Sequence, residues 1–253
     1  MKMSDTCAVI TGGASGLGEA TARVFLEAGA KVALLDRDAT RGPSVAAEMG
    51  ANASFHETDV TSEESVAAAL AGAKEAMGRI TCLVNCAGIG TPGTTLGKEG
   101  PLALEKYAQV VDINLKGSFN VARLAAAAMT ENEPDDDGAR GVIINTASVA
   151  AFEGQRGQVA YASSKGGIVG LTLPMARDLA RNGIRVMTIA PGIFATPMLA
   201  GLPEAAQQQL AADVTCPQRL GNPAEYGRLA RFIVECGYLN GTVIRIDGAL
   251  RMQ

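Results

Sequence analysis

The chain of 253 residues carries 22 basic and 26 acidic side chains, for a net charge of −4, and 47% of its residues are hydrophobic. The acidic balance argues against a nucleic-acid surface and against binding to anionic membranes. No apolar stretch approaches the roughly 20 residues of a membrane span. The length suits one large core, and no linker-like change of composition divides residues 1–253, so we predict a single domain.

The cysteine and histidine content argues against several kinds of site. The five cysteines are odd in number and form no CxxC pair, and His56 is the only histidine. We therefore expect no metal site, and we expect His56 to belong to its strand. No signal-like segment precedes the first predicted strand, so we expect the reduced environment of the cytoplasm.

Short apolar runs alternate with longer helical patterns from one end of the chain to the other. This alternation is typical of an α/β fold in which helices cover both faces of a parallel sheet. The predicted strands span residues 7–11, 31–36, 54–57, 82–85, 141–146, 184–190 and 243–246.

Helical patterns fill the gaps between the predicted strands. The first runs over residues 16–28 and ends at Gly29. A long helix is predicted over 101–129, with Pro101 as its first residue. Asn114 falls inside this long helix, where an amide side chain usually competes with the backbone. Such a local misfit often marks a functional position.

Two stretches are predicted to serve as connections. Residues 131–140 are polar and acidic and contain Pro134 and Gly138, which predicts an exposed loop. Residues 194–220 follow a strand end and show a helical pattern interrupted by prolines. We predict that this segment, within residues 191–222, forms a substrate-binding lid.

A glycine-rich turn, TGGASGLG, follows the first predicted strand and opens the first helix. Gly12, Gly16 and Gly18 allow a tight turn, close approach to a pyrophosphate and close helix packing, while Ser15 and Leu17 lie at the helix N-terminus. The spacing TGxxxGxG is a relative of the standard dinucleotide fingerprint. Together with the alternating pattern, it predicts a doubly wound Rossmann-type domain around a seven-stranded parallel sheet.

Asp36, at the end of the second predicted strand, indicates which dinucleotide binds. Its carboxylate can accept hydrogen bonds from a ribose diol and would repel a 2′-phosphate, which favours NAD over NADP. Arg37 is the counter-evidence, because an arginine there can accommodate the phosphate. Ser15 adds no charge to the glycine turn.

Residues at the next two strand ends are further candidates for cofactor contacts. The candidates are Asp59, Val60, Asn85, Ala87 and Gly88. Ordinary turn residues at strand ends are an equally good interpretation from spacing alone.

Tyr161 and Lys165 stand four residues apart, so on a helix they share one face, and Ser148 precedes them by thirteen residues. A free tyrosine titrates near pH 10, so a general base near pH 7 needs roughly 4 kcal/mol of phenolate stabilisation. We expect the Lys165 ammonium, helped by a second cation, to lower the pKa of Tyr161. A surface tyrosine and lysine is the alternative for these two residues by themselves.

Seven motifs occur in order along nearly the whole chain. They are TGGASGLG, Asp59-Val60, NCAG at 85–88, Asn114, Ser148, YASSK at 161–165 and Pro191-Gly192. Together they resemble the motifs of the short-chain dehydrogenase/reductase family. The resemblance implies that Ser148, Tyr161 and Lys165 are catalytic and that Asn114 holds a water in a proton relay. It also implies NAD as the cofactor and a homotetramer, with the C-terminal strand and tail in a subunit interface. The further cofactor contacts that it implies are Tyr161, Lys165, Pro191, Gly192, Ile193 and Thr196.

Four sequence blocks, at 140–155, 164–180, 183–192 and 240–253, are similar to the family members that oxidise 3-hydroxyacyl-CoA and hydroxysteroids. The resemblance implies NAD-dependent, reversible oxidation of 3-hydroxyacyl-CoA to 3-ketoacyl-CoA. Ser148, Gln158 and Tyr161 are the expected substrate contacts. A 3-oxoacyl-carrier-protein reductase, a hydroxysteroid dehydrogenase and a nucleotide-sensing regulator without catalysis stay open as alternatives.

Overall fold

A parallel sheet of seven strands runs through the centre of the molecule, for which the computed structural model describes residues 1–200 and 204–252. Its strands are β1 Cys7–Thr11, β2 Lys31–Asp36, β3 Ala53–Glu57, β4 Cys82–Asn85, β7 Gly141–Thr146, β8 Ile184–Pro191 and β9 Val243–Ile246. The spatial order is β3-β2-β1-β4-β7-β8-β9, and every neighbouring pair is parallel. The order changes direction between β1 and β4, which is where ligands bind in open sheets of this kind.

Helices cover both faces of the sheet. They are α1 Gly16–Glu27, α2 Arg41–Met49, α3 Glu63–Met77, α4 Leu104–Val111, α5 Ser118–Met129, α6 Val159–Leu179, α7 Pro197–Ala200, α8 Glu204–Ala212 and α9 Pro223–Glu235. Alternate residues of each central strand point to opposite faces: in β1, Ala8 and Ile10 join the apolar cluster under α1, whereas Val9 joins the one under α3 and α5. Both faces are buried, which explains why the central strands are continuous apolar runs.

The predicted fold is confirmed, and the strand boundaries agree closely. All seven predicted strands are present; β3 begins one residue earlier, at Ala53, and β8 ends one residue later, at Pro191. His56 lies in β3 as expected. The loop predicted over residues 131–140 is confirmed, because those residues form turns and irregular backbone.

The predicted start of the long helix is wrong. Pro101 belongs to a short antiparallel hairpin, in which β5 Leu96–Gly97 pairs with β6 Gly100–Pro101. Helix α4 begins only at Leu104. A proline suits the first turn of a helix, but its fixed φ also suits an extended strand end, and the preceding Gly100 has a φ of +117° that favours the hairpin.

The predicted lid, residues 191–222, contains the short helices α7 and α8, and residues 201–203 within it lie outside the described residues. Its role as a lid stays a prediction. In the described part of the chain, no helix is both long enough and apolar enough to cross a membrane.

Candidate active site

A cavity of about 750 Å³ opens at the carboxyl ends of the parallel strands. Segments that follow β1, β2, β3, β4, β7 and β8 all line it, because parallel strands bring their ends to the same edge of the sheet. The predicted site residues that line it are Gly12, Ser15, Gly16, Leu17, Gly18, Asp36, Asp59, Val60, Ala87, Gly88, Ser148, Gln158, Tyr161, Lys165, Pro191, Gly192, Ile193 and Thr196.

The glycine turn is built so that only glycine fits at two positions. Gly12 has a φ of +63°, and a Cβ added there would lie 2.9 Å from the backbone nitrogen of Ala87. A Cβ on Gly18 would overlap the carbonyl oxygen of Gly12. The turn therefore passes close to the β4 loop on one side and to α1 on the other.

The N-terminus of α1 opens into the cavity. Ser15, the residue before the helix, makes no capping hydrogen bond with its side chain in the described structure, whereas Ser62 caps α3 and Asn222 caps α9. The first backbone N–H groups of a helix need partners, and together with the helix dipole they favour an anion. This end of the cavity is suited to a phosphate group.

Asp36 lies at the end of β2 and supports the glycine turn directly. Its Oδ2 accepts a hydrogen bond from Ala14 N at 3.0 Å, and its Oδ1 accepts one from Asp38 N at 3.1 Å. Arg41 holds the same turn from the other side, since its Nε donates to Ala14 O at 2.6 Å. Sequence reasoning missed Arg41, because only the fold brings α2 beside this turn.

Asp59 and Val60 line the cavity beyond β3, but the Asp59 carboxylate is directed at its own backbone. It accepts hydrogen bonds from Thr61 N at 2.9 Å and Thr61 Oγ1 at 2.7 Å. These bonds, with a smaller contribution from the charge of Arg37, lower the pKa of Asp59. Arg37 also lines the cavity, next to Asp36.

Asn85 is the predicted cofactor residue that the structure places below the cavity wall. It is buried, and its Nδ2 donates to Ser118 O at 3.1 Å and to Asn145 Oδ1 at 2.9 Å. Asn85 and Asn145 are register partners on β4 and β7. Asn85 therefore ties two central strands to α5, while Ala87 and Gly88 form the adjoining wall.

Asn114 lies in a π-helical segment, Asp112–Gly117, that joins α4 to α5. The local misfit expected at Asn114 is thus present, and π-helical turns are frequent at functional sites. Its side chain is fully buried and is paired on both sides with Ile89, accepting from Ile89 N at 2.8 Å and donating to Ile89 O at 2.9 Å. It also donates to Ser164 Oγ at 3.1 Å on α6. Asn114 fixes the wall loop beside Lys165 and is not itself among the residues that line the cavity.

Ser148 and Tyr161 come together in the cavity. Ser148 follows β7, and its Oγ accepts a hydrogen bond from Ala150 N at 3.1 Å, which leaves the hydroxyl proton for a second partner. Burial raises the pKa of Tyr161, and a hydrogen bond with Ser148 acts in the opposite direction. The expected lowering of the Tyr161 pKa is therefore not found in the protein alone, because burial outweighs the neighbouring groups.

Lys165 is one turn along α6 from Tyr161, and its Nζ lies 5.7 Å from the centre of the tyrosine ring. It is 5% exposed, and its Nζ donates to Thr146 O at 2.8 Å. Burial lowers the pKa of Lys165 to about 8. The ammonium thus faces the site without a carboxylate partner at hydrogen-bonding distance in the described structure.

Sequence reasoning missed a polar group behind Lys165. Thr146 Oγ1 lies 2.6 Å from Tyr226 Oη, and Cys86 Sγ lies 3.7 Å from the same threonine hydroxyl. Burial raises the pKa of Cys86, so this thiol stays protonated. Three apolar residues that line the cavity were not named singly either: Leu199 and Leu210, which lie in the predicted lid, and Met252. No motif marks these positions, since they reach the cavity from separate segments.

Three comparisons place the chain among known proteins. Residues 6–207 match the model of the family described as short chain dehydrogenase. The chain belongs to the short chain dehydrogenase family. This dehydrogenase is 58% identical over 248 residues to human 3-hydroxyacyl-CoA dehydrogenase type-2, a match that covers 97% of this chain and 95% of the relative. It is therefore an oxidoreductase.

Two solved protein structures have the same architecture as this dehydrogenase. A 3-hydroxyacyl-CoA dehydrogenase type-2 from Mycobacterium avium superposes with a TM-score of 0.92 at 42% identity, covering 97% of this chain and 96% of that one. A 3-ketoacyl-(acyl-carrier-protein) reductase from Brucella melitensis, in complex with NADH, gives a TM-score of 0.87 at 28% identity, covering 98% and 99%.

Proposed function

We propose that this dehydrogenase oxidises 3-hydroxyacyl-CoA to 3-ketoacyl-CoA reversibly, with NAD as cofactor. The observation that carries the proposal is that Ser148, Tyr161 and Lys165 line the same cavity as the glycine turn. The substrate class is supported by the 58% identity to a human protein named 3-hydroxyacyl-CoA dehydrogenase type-2.

The residues present fit a dinucleotide. The uncapped N-terminus of α1 and the glycine turn would hold the pyrophosphate, and the Asp36 carboxylate would accept hydrogen bonds from the ribose diol. The charge of Asp36 disfavours a 2′-phosphate, although Arg37 lies beside it at the cavity. When bound, NAD supplies the hydride acceptor for the carbon that bears the hydroxyl group.

Tyr161 is the general base in the oxidative direction: as phenolate it takes the proton of the 3-hydroxyl group. Ser148 Oγ donates a hydrogen bond to the substrate oxygen, which its contact with Ala150 N leaves it free to do. One positioned donor of this kind is worth about 3 kcal/mol in the transition state. Gln158, at the start of α6, also lines the cavity and is a proposed substrate contact.

Lys165 stabilises the Tyr161 phenolate, since its Nζ lies over the face of the tyrosine ring. Burial raises the Tyr161 pKa in the protein alone, so a second positive charge in the cavity would help the ammonium to lower that pKa. Asn114 holds the Ile89 loop in place and, through the π-helical segment, is the proposed anchor of the water through which the proton leaves.

The proposal is tested with 3-hydroxyacyl-CoAs of graded chain length, each with NAD and with NADP, and with a hydroxysteroid and a free 3-hydroxy acid as comparison substrates. We expect turnover of the thioesters with NAD. In the same assay, Tyr161→Phe should keep NAD binding and lose turnover by at least about 100-fold, since the ring remains and the acid/base group is gone.

The matched control is Tyr238→Phe, because Tyr238 is fully exposed and lies away from the cavity. It should behave as wild type. Turnover of the thioesters by Tyr161→Phe at near wild-type rates would refute the role of Tyr161. Activity with the steroid or the free acid but with none of the thioesters would refute the substrate class.

A carrier-protein reductase is the second candidate, favoured by the similarity to the Brucella melitensis structure and by Arg37 at the cavity. It would act on 3-ketoacyl groups attached to carrier protein in preference to the CoA thioester. Competing the two thioesters of the same acyl group in one reaction separates the two proposals.

We also propose that the protein assembles as a homotetramer. Large apolar side chains are exposed on helices at the surface: Leu104 on α4, Phe119 on α5 and Phe232 on α9 are 74%, 49% and 54% exposed. Aromatic side chains such as Phe119 and Phe232 are enriched at subunit interfaces. Sedimentation velocity at micromolar concentration should give four times the mass of 25.9 kDa; a monomer would refute the assembly.

A further inference from the structure

The chain after β9 folds back against the cavity instead of leaving the molecule. Leu250 is 2% exposed, and its N–H donates to Asp247 O at 3.0 Å to close a turn. Ala249 N donates to the Asp247 carboxylate at 3.0 Å. Two residues after Leu250, Met252 lines the cavity. The penultimate residue of the chain is thus part of the wall of the active site.

Four charged side chains, here called the tail cluster, hold this turn: Glu153, Arg245, Asp247 and Arg251. Arg245 forms a two-pronged contact with the Glu153 carboxylate, at 2.8 and 3.0 Å, and its Nε donates to Asp247 at 2.7 Å. Arg251 Nη1 donates to Asp247 at 3.1 Å. Planar, two-pronged contacts within a network are more ordered than isolated surface ion pairs.

Glu153 also contacts Arg251, the residue before Met252. Arg251 Nε lies 3.5 Å from Glu153 Oε1, next to the bonds from Arg245. Hydrogen bonds from Arg245 are the main reason why the pKa of Glu153 is lowered, so the carboxylate stays charged at neutral pH. Glu153 follows Ser148 by five residues, on the segment that leads to Gln158 and α6. The position of Met252 is therefore set by the same segment that carries the substrate contacts.

The turn carries conformational strain. Ala249 has a φ of +63°, the one positive φ of a residue other than glycine in the described structure. Residues with a Cβ rarely adopt this conformation, and it persists where the surrounding contacts impose it. Those contacts include Thr215 Oγ1 to Ala249 O at 3.2 Å and Cys216 N to Gly248 O at 3.0 Å, both from the segment after α8.

We propose that Met252 is a specificity-determining residue that limits the length of the substrate's acyl chain, and that the tail cluster is the positioning element that holds it there. The proposal rests on the proposed function. Met252 lines the same cavity as Leu199 and Leu210, which come from the predicted lid. A thioether side chain suits contact with a flexible hydrocarbon chain.

The first test changes the size of residue 252. Met252→Ala should raise the ratio of kcat/KM for long-chain over four-carbon thioesters about 10-fold, and Met252→Trp should lower it about 10-fold, since an apolar pocket discriminates by about this factor per methylene or more. Met252→Leu should show the same dependence of kcat/KM on chain length as the wild type. The change should appear mainly in KM, and it should be larger for the long chains than for the four-carbon thioester.

The second test removes the support of Met252. Glu153→Gln should shift the dependence of kcat/KM on chain length in the same direction as Met252→Ala. In the protein without substrate or cofactor, it should also speed hydrogen exchange at residues 247–252. The matched control is Glu131→Gln, because Glu131 pairs with Lys74 on an exposed surface. It should leave both profile and exchange as in wild type.

Equal changes at every chain length, or an unchanged profile, would overturn the role of Met252. Unchanged exchange in Glu153→Gln would overturn the role of the tail cluster. If wild-type protein oxidises none of the thioesters, the proposed function fails separately. The residue 252 variants are then assayed with secondary alcohols of graded length, where a profile independent of residue 252 would likewise refute the proposal.

Discussion

Lys165 holds a positive charge almost out of reach of solvent, and this costs stability. Its pKa is about 8 in the folded protein against 10.5 for an ordinary lysine. Because the folded state binds the proton more weakly than the unfolded state, the protein loses about 3 kcal/mol of stability below pH 8. This penalty decreases as the pH rises from 8 towards 10.5, where both states become neutral.

We therefore expect Lys165→Met to abolish turnover and to increase the free energy of unfolding at pH 7. The lost bond to Thr146 O offsets part of the gain, so a net increase of about 2 kcal/mol is expected. Urea unfolding at several pH values between 7 and 9.5 measures it, with exposed Lys74→Met as control. A variant less stable than wild type at pH 7, or a difference that does not shrink with rising pH, contradicts this account.

Asp36 serves two purposes at once, since it supports the glycine turn and is the proposed ribose contact. Asp36→Ala should reduce the preference for NAD over NADP by at least about 10-fold, because removal of the carboxylate both loses a charge-assisted hydrogen bond and relieves repulsion of a 2′-phosphate. The ratio of kcat/KM for the two cofactors is the measurement. Glu57→Ala is the control, since Glu57 is the exposed register partner of Asp36 at the end of β3. An unchanged ratio would argue against the assignment.

At the scale of elements, a buried arginine on β8 holds the end of α9. Arg185 is 8% exposed and donates to Leu239 O at 2.8 Å, Ile233 O at 3.0 Å and Val234 O at 3.1 Å. These are carbonyl groups at and just beyond the C-terminus of α9, where a cation also meets the negative end of the helix dipole. The arginine thus takes the place of a conventional helix cap.

Arg185→Met should lower the free energy of unfolding by about 3 kcal/mol, because several buried carbonyl groups lose their donors. Urea unfolding measures the loss, and hydrogen exchange should rise around residues 233–239. The matched control, Arg231→Met, lies on the exposed face of the same helix and pairs only with Glu235 among the described side chains. Its change should stay below about 0.5 kcal/mol, and an equal loss in both variants would disprove the capping role.

At the scale of the whole molecule, the cavity joins the two halves of the sheet. Its wall takes residues from the ends of β1, β2 and β3 on one side and from β4, β7 and β8 on the other. A ligand that binds the folded protein alone stabilises it by an amount set by its concentration and affinity. Binding in this cavity should therefore stabilise both halves together.

NAD at 100 times its dissociation constant should raise the free energy of unfolding by about 2.7 kcal/mol. Urea unfolding at fixed protein concentration gives the increase, and hydrogen exchange shows whether residues 1–90 and 140–195 are protected in parallel. NADP at the same concentration is the comparison and should stabilise less. Protection confined to one half would contradict a shared site.

The sequence by itself determined the order of the sheet strands and many of the residues that line the cavity. The strands β1, β4 and β7 are buried on both faces of the sheet, so they can be recognised in the sequence as mainly apolar runs. The glycine turn, Asp36 and the spacing of Tyr161 and Lys165 are local patterns with their own geometry. The geometry of such local patterns can be predicted from the sequence, because residues that are close together along the chain are also close together in the folded protein.

Only the tertiary structure decided which groups meet across the chain. The Asn85 side chain bonds to β7 and to α5, and Pro101 lies at the end of a hairpin. The tertiary structure also brought Met252 to a cavity that Gly12 lines as well, although the two residues are 240 positions apart in the sequence. The Tyr161 pKa also depends on the folded structure, since burial outweighs the hydrogen bond with Ser148.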